Sequence, residues 1–176
     1  MSKRTGAISA FATPIRRGLW AGVLLLGLGL SALDSSAASG PFEHFPGSWT
    51  GTGTIQLASG KKERIRCRAT YRVRGSSAQS IDLQLGCQSD SYNFQLTGDL
   101  EANEGGQISG RWSENTRNIG GSVIGRARGD WLQVHVESTA FAADLAMSTR
   151  EGRQSVTIDS QGGGETIKAS MTLRRN

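Results

Sequence analysis

The sequence predicts an all-β fold, an antiparallel up-and-down meander of about ten strands that closes or nearly closes into a barrel. Three observations predict it. From Trp49 almost to the C-terminus, apolar and polar residues alternate with period two, as half-buried strands do. Turn-forming clusters interrupt the alternation at short intervals: "GSS", "QSDS", "NEGG", "NTRN", "GD", "REG" and "QGGG". No segment carries a sustained helical period. The connections are too short for parallel crossovers, and closure removes exposed strand edges. An open two-layer sandwich is the alternative architecture.

The elements follow in order. "WTGTGTIQL" sets Trp49, Gly51, Gly53, Ile55 and Leu57 against a row of threonines. "KKERIRCRATYRVRG" puts Ile65, Cys67, Ala69, Tyr71 and Val73 on one face and Arg64, Arg66, Arg68, Arg72 and Arg74 on the other. "SIDLQLGCQ" aligns Ile81, Leu83, Leu85 and Cys87, and "YNFQLTGDL" aligns Tyr92, Phe94, Leu96 and Leu100. "QISGRWSE" and "NIGGSVIGRAR" contribute Ile108 and Trp112, then Ile119, Val123 and Ala127, with glycines between. "WLQVHVES", "FAADLAMST", "SVTIDS" and "TIKASMTL" complete the pattern with Leu132, Val134 and Val136; Phe141, Leu145 and Met147; Val156 and Ile158; and Ile167, Met171 and Leu173.

The second and third strands can be placed in register. With the turn centred near Ser77, Val73 faces Ile81, Tyr71 faces Leu83 and Ala69 faces Leu85. Cys67 then falls opposite Cys87, and Arg72 meets Asp82 on the other face. A slip of one residue would send every apolar side chain to the wrong side. Directly opposed cysteines lie within bridging distance, so one intrachain disulfide is expected between the only two cysteines.

The 176-residue chain opens differently. Lys3, Arg4, Arg16 and Arg17 precede the apolar run "GLWAGVLLLGLGLSAL" and the small residues of "DSSAASG". That layout predicts a signal peptide over 1–37, cleaved near 37/38, and hence a Sec-type periplasmic or secreted protein. Residues 38–47 then form a lead-in and 48–176 the barrel domain. The full chain carries a net charge of +5, but the leader holds four Lys/Arg and one Asp, which leaves the mature part near neutrality. Nucleic-acid binding by the protein as a whole is therefore not expected, and an oxidising compartment suits the disulfide.

"FPGSWTGTG" resembles the Gly-x-Trp start of calycin-type barrels (lipocalins, avidins, fatty-acid-binding and nitrobindin-like proteins), with Gly47 and Trp49 carrying the match. The resemblance implies a tryptophan packed across one barrel end and a lumen that often holds an apolar ligand. It would imply a haem-ligating histidine for a nitrobindin-like protein, yet His135 has outward parity and His44 precedes the first strand. A lipocalin would carry a C-terminal helix, and the sequence shows none. "GRWSENTRNIGGSVIGRARG" is similar to a block in small exported proteins of alphaproteobacteria. That likeness runs through most of the mature chain and implies export rather than an activity.

Two places are candidates for function. The first is the lumen, where Trp49, Tyr71, Phe94, Trp112 and Phe141 would line a space for an apolar small molecule or lipid. The many inward glycines either widen that space or let strands coil around a plain core. Every inward position reads as apolar, small or cysteine. The second is the outer arginine ridge, Arg64, Arg66, Arg68, Arg72 and Arg74. It suits an anionic envelope component (anionic lipid, lipopolysaccharide or an acidic protein) or serves as a solvated face that opposes aggregation.

Inhibition of a secreted hydrolase is a further reading for a small disulfide-stapled barrel. An inverted barrel, apolar face to lipid, is weighed against a chain that does not span a membrane once the leader is removed. No nucleophile elbow, metal cluster or nucleotide loop is present. Glu114 and Asp130 are read as outward-facing carboxylates. The expectation is a non-enzymatic binding protein without cofactor or metal.

Overall fold

The structure, a computed structural model, describes residues 40–162 and 165–176. The predicted leader and its cleavage point near 37/38 lie outside the described residues. Ten strands follow one another: β1 Gly47–Gln56, β2 Lys62–Arg74, β3 Ser80–Gln88, β4 Asn93–Ala102, β5 Gln107–Glu114, β6 Ile119–Arg128, β7 Trp131–Ser138, β8 Phe141–Arg150, β9 Arg153–Gly162 and β10 Glu165–Arg175. Each pairs antiparallel with its sequence neighbours, and β1 also pairs with β10, so the sheet is a closed barrel and not an open sandwich. Followed once around the barrel, the register returns displaced by about 12 residues, which tilts the strands steeply to the barrel axis.

Alternation in the sequence becomes alternation in burial. In β2 every odd position from Glu63 to Tyr71 is buried, while Arg64, Arg66 and Arg68 are exposed. The apolar parity faces inward around the whole barrel and forms one continuous core. The inverted reading, with apolar side chains turned to lipid, is therefore overturned. Among the described residues no helix is long and apolar enough to cross a membrane.

The β2–β3 register is the predicted one, with Val73, Tyr71, Ala69 and Cys67 opposite Ile81, Leu83, Leu85 and Cys87. Cys67 and Cys87 form the disulfide, with their Cα atoms 4.2 Å apart. One detail of the hairpin differs. Arg72 does stand opposite Asp82, but the ion pair runs diagonally from Arg74 at 3.2 Å.

Two local features explain how the sheet curls shut. A Cβ on Gly51 would lie 1.9 Å from the Thr172 carbonyl oxygen, and one on Gly53 would lie 2.0 Å from that of Ser170. These inward glycines let β1 coil tightly against β10, and they do not widen the lumen. Between β8 and β9, Glu151 and Gly152 both have positive φ (50° and 69°), the two-residue turn whose twist matches that of paired strands.

The two ends of the barrel differ. Both the lead-in and the C-terminus arrive at one end, called here the terminal end. The opposite end carries the β1–β2, β3–β4, β5–β6 and β7–β8 hairpins and is called the far end.

Candidate functional site

At the terminal end the lead-in folds back over the barrel. The Phe42 backbone N–H donates to the Ala78 carbonyl at 3.1 Å, and the Phe42 and Phe45 side chains are buried. Phe45 stands edge-on to both Phe42 (5.7 Å) and Tyr71 (5.5 Å). Trp49 is wholly buried beneath them and donates from Nε1 to the Phe45 carbonyl at 2.8 Å. The Arg175 guanidinium covers the Trp49 ring at 4.8 Å and donates to the His44 carbonyl, so the last strand clamps the lead-in. The tryptophan of the Gly-x-Trp start thus packs across one barrel end.

Polar groups are also buried here, at positions that continue the inward parity of β8 and β9. Gln154 and Thr149 point inward and are 0% and 1% exposed. The Tyr71 hydroxyl donates to Gln154 Oε1 at 3.2 Å, and burial pushes the Tyr71 phenol well above its ordinary range. Among the described residues Gln154 Nε2 and Thr149 Oγ1 have no hydrogen-bond partner.

The far end has a different character. Its inward side chains Leu57, Tyr92, Phe94, Ile119, Phe141 and Ile158 are only half-buried. Just below them lies Trp112, 5% exposed, with its ring 5.1 Å from that of Phe141. The Trp112 Nε1 donor is buried and has no hydrogen-bond partner among the described residues. The five lumen aromatics are therefore divided. Trp49 and Tyr71 belong to the closed terminal end, while Phe94, Trp112 and Phe141 belong to the far end.

Two buried carboxylates brace the far-end loops. Glu63 accepts from the Ser89 hydroxyl at 2.7 Å, the Ser91 backbone N–H at 2.9 Å and the Ser91 hydroxyl, and it pairs with Lys61 at 2.7 Å. The hydrogen bond from Lys61, then those from the serines, hold its carboxyl at about 2; Glu63 in turn raises the Lys61 ammonium. Glu114 accepts from the backbone N–H groups of Gln95, Thr116 and Arg117 at 3.0, 3.0 and 2.7 Å. Burial alone would push Glu114 up, but these donors outweigh it and leave the carboxyl at about 2.

Both residues correct the sequence reading. Glu114 faces inward, and with Glu63, Gln154 and Thr149 it ends the notion of a wholly apolar interior. The signal was available, because both glutamates continue the apolar parity of their strands by one step. Asp130 is not its partner; it pairs with Arg150 at 2.6 Å.

The arginine ridge is on the outer wall, as its parity requires. All five side chains are exposed, and of the five only Arg74 has an ion-pair partner among the described residues. Arg66 and Arg68 border a concavity of about 950 Å³ in that wall, bounded across the sheet by Gln95 and Thr97. His135 is also on the outer wall, where Nδ1 stands 2.8 Å from Asp144 Oδ1. Among the described residues no cluster of His, Cys, Asp and Glu is arranged to hold a metal.

No protein-family model matches the sequence, and no curated protein matches it either. Solved structures do. The S-type phycobiliprotein lyase CpeS from Guillardia theta superposes with a TM-score of 0.60 at 12% identity, covering 77% of this chain and 90% of that one. Rv2717c from M. tuberculosis superposes with a TM-score of 0.60 at 13% identity, covering 77% and 93%. These are calycin-like barrels, and at such identities the likeness establishes the fold. It also overturns one expectation. A barrel of this shape is a lyase in Guillardia theta, so the non-enzymatic role read from missing motifs does not stand. The chain is a ten-stranded, disulfide-bridged, closed antiparallel barrel that shares its fold with these two proteins.

Proposed function

We infer that this barrel is an exported protein that takes up an apolar small molecule or lipid through its far end. The observation that carries this reading is the buried, unpartnered Trp112 Nε1 beneath a rim of half-buried apolar side chains. A buried donor without a partner costs stability, and a ligand acceptor entering past Phe94 and Phe141 would satisfy it. The ligand would thus be apolar along most of its length with one hydrogen-bond acceptor at its inner tip. The terminal end offers no comparable opening, since the lead-in covers it.

The predicted leader and the disulfide support placement in the periplasm or outside the cell.

Native mass spectrometry of protein purified from its own envelope tests the reading directly. A co-purifying apolar molecule is expected. Titration with cis-parinaric acid should quench the fluorescence of Trp112, and Trp112→Phe should weaken binding several-fold without unfolding the barrel. An apo mass together with no saturable cis-parinaric acid binding would sink the proposal.

A further inference from the structure

We propose that the concavity beside the arginine ridge is a binding groove for an acidic polysaccharide, separate from the lumen and reached from the outer wall. Arg66 and Arg68 form one side. They are two residues apart on one strand face, so their Cα atoms are roughly 7 Å apart along β2. Neither has an anionic partner among the described residues, and no acidic side chain borders the groove. Two unpaired guanidiniums facing the same hollow are positive charge left available for a ligand.

The floor is as informative as the wall. Gly86 lies between Arg68 and Gln95 in the pairing, and its missing side chain deepens the hollow. A Cβ there would come within 3.3 Å of the Gln95 amide group. The remaining polar lining is hydroxyl and amide and includes Thr50, Thr52, Gln84, Asn93, Gln95 and Thr97. Such groups both donate and accept, which suits the hydroxyls of sugar rings.

The same lining argues against other polyanions. No aromatic side chain borders the groove, so nucleic-acid bases have no stacking platform. No exposed large apolar side chain borders it either, which removes the anchor of a protein partner or a membrane surface. A flat bilayer would also span the hollow without reaching its floor. A flexible chain of hydroxylated rings bearing regularly spaced carboxylates or sulfates meets every requirement.

Isothermal titration with tetragalacturonic acid and a heparin-derived tetrasaccharide tests this. At least one should bind saturably at 50 mM salt and more weakly at 500 mM. The methyl ester of tetragalacturonic acid should bind at least tenfold more weakly than the acid if the acid is the ligand. The double variant Arg66→Gln/Arg68→Gln should lose at least tenfold in affinity. Gly86→Val, which keeps every charge and meets only the flexible end of Gln95, should lose at least fivefold by filling the floor. Neither variant should change cis-parinaric acid binding in the lumen, which keeps the two proposals distinguishable. Absence of binding by both tetrasaccharides at millimolar concentration would overturn the proposal. So would equal or tighter binding of oligo-dT or phosphatidylglycerol vesicles, or an unaltered affinity in Gly86→Val.

Discussion

The two ends of this barrel are built from the same alternating strands and finish in opposite ways. At the terminal end Phe42, Phe45, Trp49 and Tyr71 stack edge to face, and Arg175 seals the arrangement from the last strand. At the far end the inward side chains remain half-buried, and the buried polar groups, Glu63 and Glu114, serve the loops instead of the lumen. The difference teaches that period-two alternation makes a wall, while the segments outside the alternation decide which end is stoppered. The terminal end spends apolar surface on stability. The far end leaves such surface accessible, which is the condition for taking up an apolar ligand.

The sharpest break of that contrast is Trp49→Ala. Removing a fully buried indole from the stopper should cost about 3–5 kcal/mol in urea unfolding, and a loss below about 1 kcal/mol would show that this end is not a packed stopper. The disulfide comes next. Cys67→Ser/Cys87→Ser opens a loop of 20 residues and should lower stability by about 3 kcal/mol on the loop-entropy model. The same measurement on wild type with and without reductant checks it.

Glu114→Gln should cost about 1–3 kcal/mol, because three backbone donors lose an ionised acceptor. Its pH dependence has a definite sign. The folded-state value of about 2 is below the ordinary 4.5, so the stabilisation is fully present above the unfolded pKa and is lost as pH falls towards 2. Urea midpoints followed from pH 6 down to pH 2 should fall less steeply in Glu114→Gln than in wild type. A parallel fall would mean that the loop brace is not ionic.

The smallest stability effect should come from Phe141→Ala at the far end, about 1 kcal/mol and well below that of Trp49→Ala, because the ring is already half exposed. Its larger consequence should be at least fivefold weaker uptake of cis-parinaric acid. If Phe141→Ala proved as destabilising as Trp49→Ala, the two ends would be equally packed and the asymmetry would be lost.

Much of this was legible residue by residue. The opposition of Cys67 and Cys87 follows from parity and a two-stranded register, both local properties. The inward placement of Glu63 and Glu114 was legible too, had the alternation been carried one step beyond the apolar residues. The roles of Phe42 and Phe45 were not, because an aromatic before the first strand has no period to read. Nor was the role of Arg175, whose partner, His44, is 131 residues away.

By itself the sequence determined the strands, their order, the face each side chain takes and the disulfide partner. These depend on period two and on turns that join neighbours, so nearby residues suffice. Only the tertiary structure decided that the sheet closes, that the lead-in plugs one end, that Gly51 and Gly53 serve coiling rather than space, and that the arginine wall is hollow. Each of these depends on residues brought together around the circumference of a tilted barrel. The pairing of β1 with β10 sets where they meet, and no local pattern encodes that meeting.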